Sequence, residues 1–129
     1  MTPKEEFYKL NGKKILASIK KRNIEGYYCE SKEDAVKKAM ELMGKNSTVS
    51  WGGSMTLEEI GLIDALKKED YILFDRSTAK TLEETTEIYH NALAADYYLM
   101  SSNAITMDGK LVNIDGNGNR IAALIYGPK

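Results

Sequence analysis

A chain of 129 residues that is 43% hydrophobic and 29% charged has the length and apolar content of one domain with its own core. Its 18 Lys plus Arg against 19 Asp plus Glu give a formal net charge of -1, without the basic excess that binding a phosphate backbone requires, so nucleic acid is excluded as a first partner. The lone Cys29 excludes a disulfide framework and a multi-cysteine metal or iron–sulfur site, and neither a secretory signal nor an apolar run of membrane-spanning length is present, so a soluble cytoplasmic protein is expected.

Thr2, Pro3 and Glu5 make a capping box with proline at the first helical position. Phe7, Leu10, Ile15, Leu16 and Ile19 then recur at helical spacing, predicting a helix to about Arg22. Residues 26–29 read as a short strand. Ser31 caps a helix that turns Ala35, Val36, Ala39, Met40 and Met43 inward, with Gly44 suited to a left-handed end.

Residues 47–51 are strand-like, Gly52-Gly53 is a break, and Thr56-Leu57-Glu58-Glu59 is a capping box opening a helix through Ile60, Ile63 and Leu66. The uninterrupted apolar run of residues 71–74 predicts a strand covered on both faces. Thr81 then caps a helix with Leu82, Thr86, Tyr89 and Leu93 inward, and residues 97–100 supply the next buried strand. Finally, residues 110–114 and 121–126 are strand-like and flank Asp115-Gly116-Asn117-Gly118-Asn119, whose residues accept positive φ, predicting an antiparallel hairpin.

Strands that alternate with helices need crossover connections, which make the strands parallel and put helices on the sheet faces. The expected fold is therefore an α/β three-layer sandwich with a mainly parallel sheet, closed by a C-terminal antiparallel hairpin, in one domain spanning residues 1–129.

In such a sheet, ligands bind beyond the carboxyl ends of the strands, and the turn from Trp51 to Thr56 occupies that position. Gly52 and Gly53 admit backbone close to a phosphate or carboxylate, and the hydroxyls of Ser54 and Thr56 can donate to the same anion. The turn lacks the Gly-Lys-Ser/Thr of a Walker A loop. Its plainer role is a tight strand-to-helix connection. Asn103 belongs to the same edge and is expected to orient a polar group; its plainer role is a turn satisfying its own backbone.

Asp75 and Asp108 are the catalytic candidates by position, whereas Glu58, Glu59, Glu83 and Glu84 are explained by helix-start electrostatics. Asp115, Asn117 and Asn119 have the spacing of calcium-loop ligands, but Arg120 stands where that loop needs glycine and Tyr126 where it needs glutamate. His90 has no second ligand near it, so no metal site is expected.

Together, Trp51-Gly52-Gly53-Ser54-Met55-Thr56-Leu57-Glu58-Glu59-Ile60-Gly61, Ala95-Asp96-Tyr97, Asn103-Ala104-Ile105-Thr106-Met107-Asp108-Gly109, Asn117-Gly118-Asn119-Arg120 and Ile125-Tyr126-Gly127-Pro128-Lys129 resemble the lactate-utilisation (LUD) domain. The resemblance runs in order along nearly the whole chain. It implies a fold like that of ribose-5-phosphate isomerases, glucosamine-phosphate isomerases and coenzyme A transferases, whose glycine-rich first turns hold phosphate or coenzyme groups. It also implies iron–sulfur oxidoreductase partners, since some members act with such proteins in oxidising lactate to pyruvate. Related domains commonly carry a glutamate after the Ala-Ile-small segment where this chain has Met107, and they continue beyond the position of Lys129. A domain truncated on its C-terminal side, with an uncovered edge that favours a homodimer, is the resulting expectation.

Two functions compete. One is an accessory or ligand-sensing component of lactate and organic-acid oxidation, gripping a small anionic metabolite and needing no cofactor that the sequence identifies. The other is an enzyme acting on a phosphorylated sugar or coenzyme A ester, with Gly52, Gly53 and Ser54 on the anion, Asp108 or Asp75 moving a proton, and Asn103 and Arg120 steadying negative charge. An inactive scaffold is the plainest remaining possibility.

Overall fold

Three short strands pair in parallel in the computed structural model, which describes residues 1–128. Strand β1 (Thr48–Trp51) is central, flanked by β2 (Ile72–Phe74) on one side and β3 (Tyr97–Leu99) on the other. The register sets Val49 beside Leu73 and Tyr97, and Ser50 beside Phe74 and Tyr98.

Successive side chains of a strand point to opposite faces, so β1 serves two layers at once. Val49, fully buried, packs with Met43, Leu57, Leu62, Ile63 and Leu66, and with Val36, Ala39 and Met40. Those residues come from helix α2 (Lys32–Leu42) and its C-cap, and from α3 (Met55–Glu59) and α4 (Leu62–Lys67). Ser50 is also buried, and its hydroxyl donates to Phe74 O at 2.8 Å, which removes the cost of an unpaired polar group. Over the other face lie α5 (Leu82–Leu93) and α6 (Asn119–Tyr126), which pack on each other and contribute the buried Ala92 and Ala123.

Helix α1 (Pro3–Lys20) has no buried residue. It is held by the tip of an antiparallel pair, β4 (Ala104–Ile105) with β5 (Leu111–Val112). Ser18 Oγ donates to Met107 O at 2.8 Å and Arg22 Nε to Asp108 O at 3.2 Å, while Gly109 lies against the Ser18 and Ile19 backbone. Among the described residues, no helix is long and apolar enough to cross a membrane.

The helix starts at Thr2, Ser31 and Thr81 are as the sequence predicts, each hydroxyl accepting the backbone N–H three residues on. Several other expectations are corrected. Residues 24–29 form no strand; Tyr28 packs on Gly12, and Gly26 on Leu16 and Ile19, so side-chain contact with α1 replaces a ladder. The left-handed residue after α2 is Asn46, with φ 59°, and not Gly44. Ser54, not Thr56, caps the helix after the glycines, and Gly61 at φ 83° splits that helix into α3 and α4.

Strand β2 is a sheet edge with Ile72 exposed, so it is not covered on both faces. Leu82, in the first turn of α5, is 83% exposed, and Thr86 and Leu93 are exposed as well, so of the residues expected inward on this helix Tyr89 alone is half-buried. The largest correction is at the end of the chain, where residues 119–126 are helix α6 and not a strand. A short apolar run is ambiguous by period alone, and here the Asp115 carboxylate accepts the Ile121 N–H at 2.7 Å, as a helix cap does. The hairpin is instead β4–β5, closed by Thr106 N–H donating to Lys110 O at 2.9 Å around Gly109 at φ 87°.

Gly61 and Gly109 both hold positive φ, but a Cβ on Gly61 meets nothing within 4 Å, whereas one on Gly109 lies 3.0 Å from the Ser18 carbonyl carbon. Gly61→Ala should therefore cost about 1–2 kcal/mol from backbone strain alone. Gly109→Ala should cost more, because rigid backbone must also move, and urea unfolding of the two variants checks this order.

Candidate functional site

The chain leaves β1 for β2 on one side and returns to β3 on the other, so the loops diverge over the carboxyl end of β1. A cleft of about 320 Å³ opens there, lined by Gly52, Gly53, Arg76, Asn103, Arg120 and residues of the loop leading into α6.

Gly52 is buried, and its N–H donates to Leu99 O at 3.0 Å, extending the ladder instead of facing a guest. A Cβ there would sit 3.0 Å from the Tyr98 hydroxyl. Gly53 is exposed, and the space its side chain would fill is taken by the Arg76 guanidinium, whose Nη2 occupies the Cβ position. The glycine pair thus makes room for a phenol on one side and a guanidinium on the other.

Arg76 begins a short 3-10 turn (Arg76–Thr78) just past β2. Its cap, Asp75, accepts Ser77 N–H at 2.9 Å and Ser77 Oγ at 2.7 Å. Arg76 Nη1 donates to Tyr89 Oη at 3.1 Å, and no carboxylate lies within ion-pair distance of it among the described residues. Its charge therefore faces the cleft uncompensated.

Arg120 is the opposite case. Its Nε meets Asp115 Oδ1 at 2.7 Å, Nη1 donates to Ser101 O at 2.9 Å, and Nη2 donates to Asn103 Oδ1 at 2.7 Å and Ile114 O at 3.0 Å. With side chains 13% and 9% exposed, Arg120 and Asp115 form a part-buried clamp between the segment after β3 and the loop before α6. Asn103 is brought to the cleft as expected, but its carbonyl oxygen is engaged by this clamp and by Ile114 N–H.

Ser54 Oγ accepts Leu57 N–H at 3.3 Å and lies 2.9 Å from Ser101 Oγ, while Thr56 is exposed one position into α3. Asp108 sits at the β4–β5 tip, bonded to the Thr106 hydroxyl and ion-paired with Lys110 at 3.5 Å and Arg22 at 3.8 Å. The Thr106 hydrogen bond, with help from Lys110, holds the Asp108 carboxyl below its ordinary range. Neither Asp75 nor Asp108 lines the cleft.

Two residues of the site escape the sequence reading. Arg76 is reachable by the same sheet-edge rule that selects Asn103, since it directly follows the β2 segment. Tyr98 is reachable by strand alternation, as the neighbour of Ser50. Burial pushes its phenol up, against the pull of Arg76, so at neutral pH it is a neutral donor.

A family model of the LUD domain matches residues 12–129, a span that takes in the sheet, the cleft and the hairpin. The chain belongs to the LUD-domain family. Membership associates this LUD domain with lactate utilisation at the level of the family. No curated protein and no solved structure matches the chain.

If Arg120 is a clamp and Arg76 a ligand residue, stability separates them. Asp115→Ala strips the part-buried Arg120 guanidinium of its ion pair and leaves the Ile121 N–H without its acceptor, and should cost about 1.5–3 kcal/mol. Arg76→Gln should cost about 0.5 kcal/mol or less, as an exposed position does. Chemical denaturation of both variants measures the difference.

Proposed function

We propose that this LUD domain is a small-anion-binding component of lactate and organic-acid utilisation, holding a carboxylate or phosphate while iron–sulfur oxidoreductase partners in the cytoplasm carry the redox chemistry. The observation that carries the reading is Arg76, a guanidinium with no carboxylate partner among the described residues, lying over the side-chain-free Gly53 at the carboxyl edge of the sheet. A planar guanidinium presents paired donors that match a carboxylate or phosphate, and such charge-assisted bonds are the strong ones.

Gly53 keeps the approach to that fork open. Gly52 contributes space, Ser54 and Asn103 polar walls, and Arg120 the clamp that holds the loop before α6 in place. Thr56, exposed nearby, is the outermost hydroxyl of the set. Binding of this kind needs no proton transfer, in keeping with Asp75 and Asp108 being engaged away from the cleft. An enzyme acting on a phosphorylated sugar or coenzyme A ester draws on those two carboxylates and is the less supported reading. On α6, Ile125 at 76% and Tyr126 at 94% exposure support association with a further chain, for which a homodimer is the proposed form.

Titration calorimetry with lactate, pyruvate and inorganic phosphate tests the proposal. At least one should bind, and Arg76→Gln should weaken it about 10–100-fold, the loss of charge-assisted hydrogen bonds. Affinity that is unchanged by Arg76→Gln contradicts the proposal. Gly53→Ala should also weaken binding, because its methyl displaces the guanidinium, with little loss of stability since only the end of a flexible side chain must shift.

A further inference from the structure

Behind the glycine turn, the Tyr98 hydroxyl is shut off from solvent and has no hydrogen-bond partner among the described residues. A buried hydroxyl left unpaired is costly, so its retention asks for a use. It borders a void of about 10 Å³ among Ser50, Trp51, Tyr89 and Ala92, at the lower limit of the ~10–15 Å³ that one water occupies. Arg76 and Asn119 wall both this niche and the larger cleft, so the two adjoin.

On the side of the turn, the phenol lies behind Gly52, which itself lines the cleft, with 3.0 Å from the Gly52 Cβ position to the hydroxyl oxygen. The sheet register holds Tyr98 in that place beside Ser50, one residue short of the glycine turn's Trp51. The phenol is kept protonated by burial, so it can offer a hydrogen to an acceptor.

We infer that Tyr98 is a specificity-determining donor of the cleft: its O–H is left open in the free protein and is taken up by an acceptor oxygen of the anion that Arg76 holds. This rests on the anion-binding reading above and adds to it the demand for a second, inward oxygen. Arg76 selects negative charge, and Tyr98 selects an anion with an oxygen deep enough to reach past Gly52. Chloride and other anions without an oxygen of that kind meet only half of the site.

Tyr98→Phe removes the hydroxyl and little else, and its two readouts move in opposite senses for the two possible roles. The variant without ligand should have a urea midpoint equal to or above that of the wild type, because an unpaired buried group has been deleted. Its affinity for inorganic phosphate or lactate should fall about 5–10-fold, while chloride competition is unchanged. A lower midpoint with undiminished affinity overturns the inference, since the hydroxyl is then satisfied inside the protein, by water or by a neighbour. Arg76→Gln separates the two levels: if it weakens binding and Tyr98→Phe does not, the role of Tyr98 falls and the anion site stands. If Arg76→Gln leaves affinity unchanged, the anion site falls and the role of Tyr98, which rests on it, falls with it.

Discussion

Everything in the molecule is organised about the alternation of side chains along β1. Val49 points into one helical layer and Ser50 into the other, so four residues anchor a sandwich whose two outer strands are only three residues long. Because β1 is central and parallel to both neighbours, its carboxyl end is where the loops after all three strands meet. The cleft is a consequence of that topology before it is a consequence of any side chain.

Two arginines reach this edge, and their partners assign them different work. Arg120 is neutralised by Asp115 and saturated by carbonyl oxygens, so its energy goes into joining the segment after β3 to the loop before α6. Arg76 rests on a glycine and a tyrosine hydroxyl and keeps its charge available. A residue's formal charge thus says little about a site until its counter-ions are counted. By the same measure, Asp108 and Asp75 are spent: one neutralises cations at a hairpin tip, the other closes a 3-10 turn.

The parallel sheet, the helix starts at Thr2, Ser31 and Thr81, and the place of the cleft are legible in the sequence because each follows from short-range rules: alternation, hydroxyl caps, and the position of a turn after a strand. What is illegible depends on distant partners. Residues 121–126 suit a strand or a helix equally, and an aspartate six residues before Ile121 decides for the helix. Ser54 and Thr56 both satisfy the rule for a cap; Ser54 takes the role while its hydroxyl also meets Ser101, 47 residues away. Gly52 and Gly53 read as positions that bring backbone close to an anion, yet the Gly52 amide completes a ladder, and what the pair provides is space for Tyr98 and Arg76. Arg76 and Tyr98 go unread since their significance lies in what they lack among the described residues, a carboxylate for one and any hydrogen-bond partner for the other, which only folding reveals.

The central claim is that the open charge of Arg76 is the anion-holding element of this LUD domain. A crystal structure of the protein grown in phosphate addresses it most directly. The account predicts phosphate oxygens about 2.7–2.9 Å from the Arg76 guanidinium, beside Gly53. A guanidinium turned onto a carboxylate of its own chain, with phosphate absent from the cleft, would contradict it.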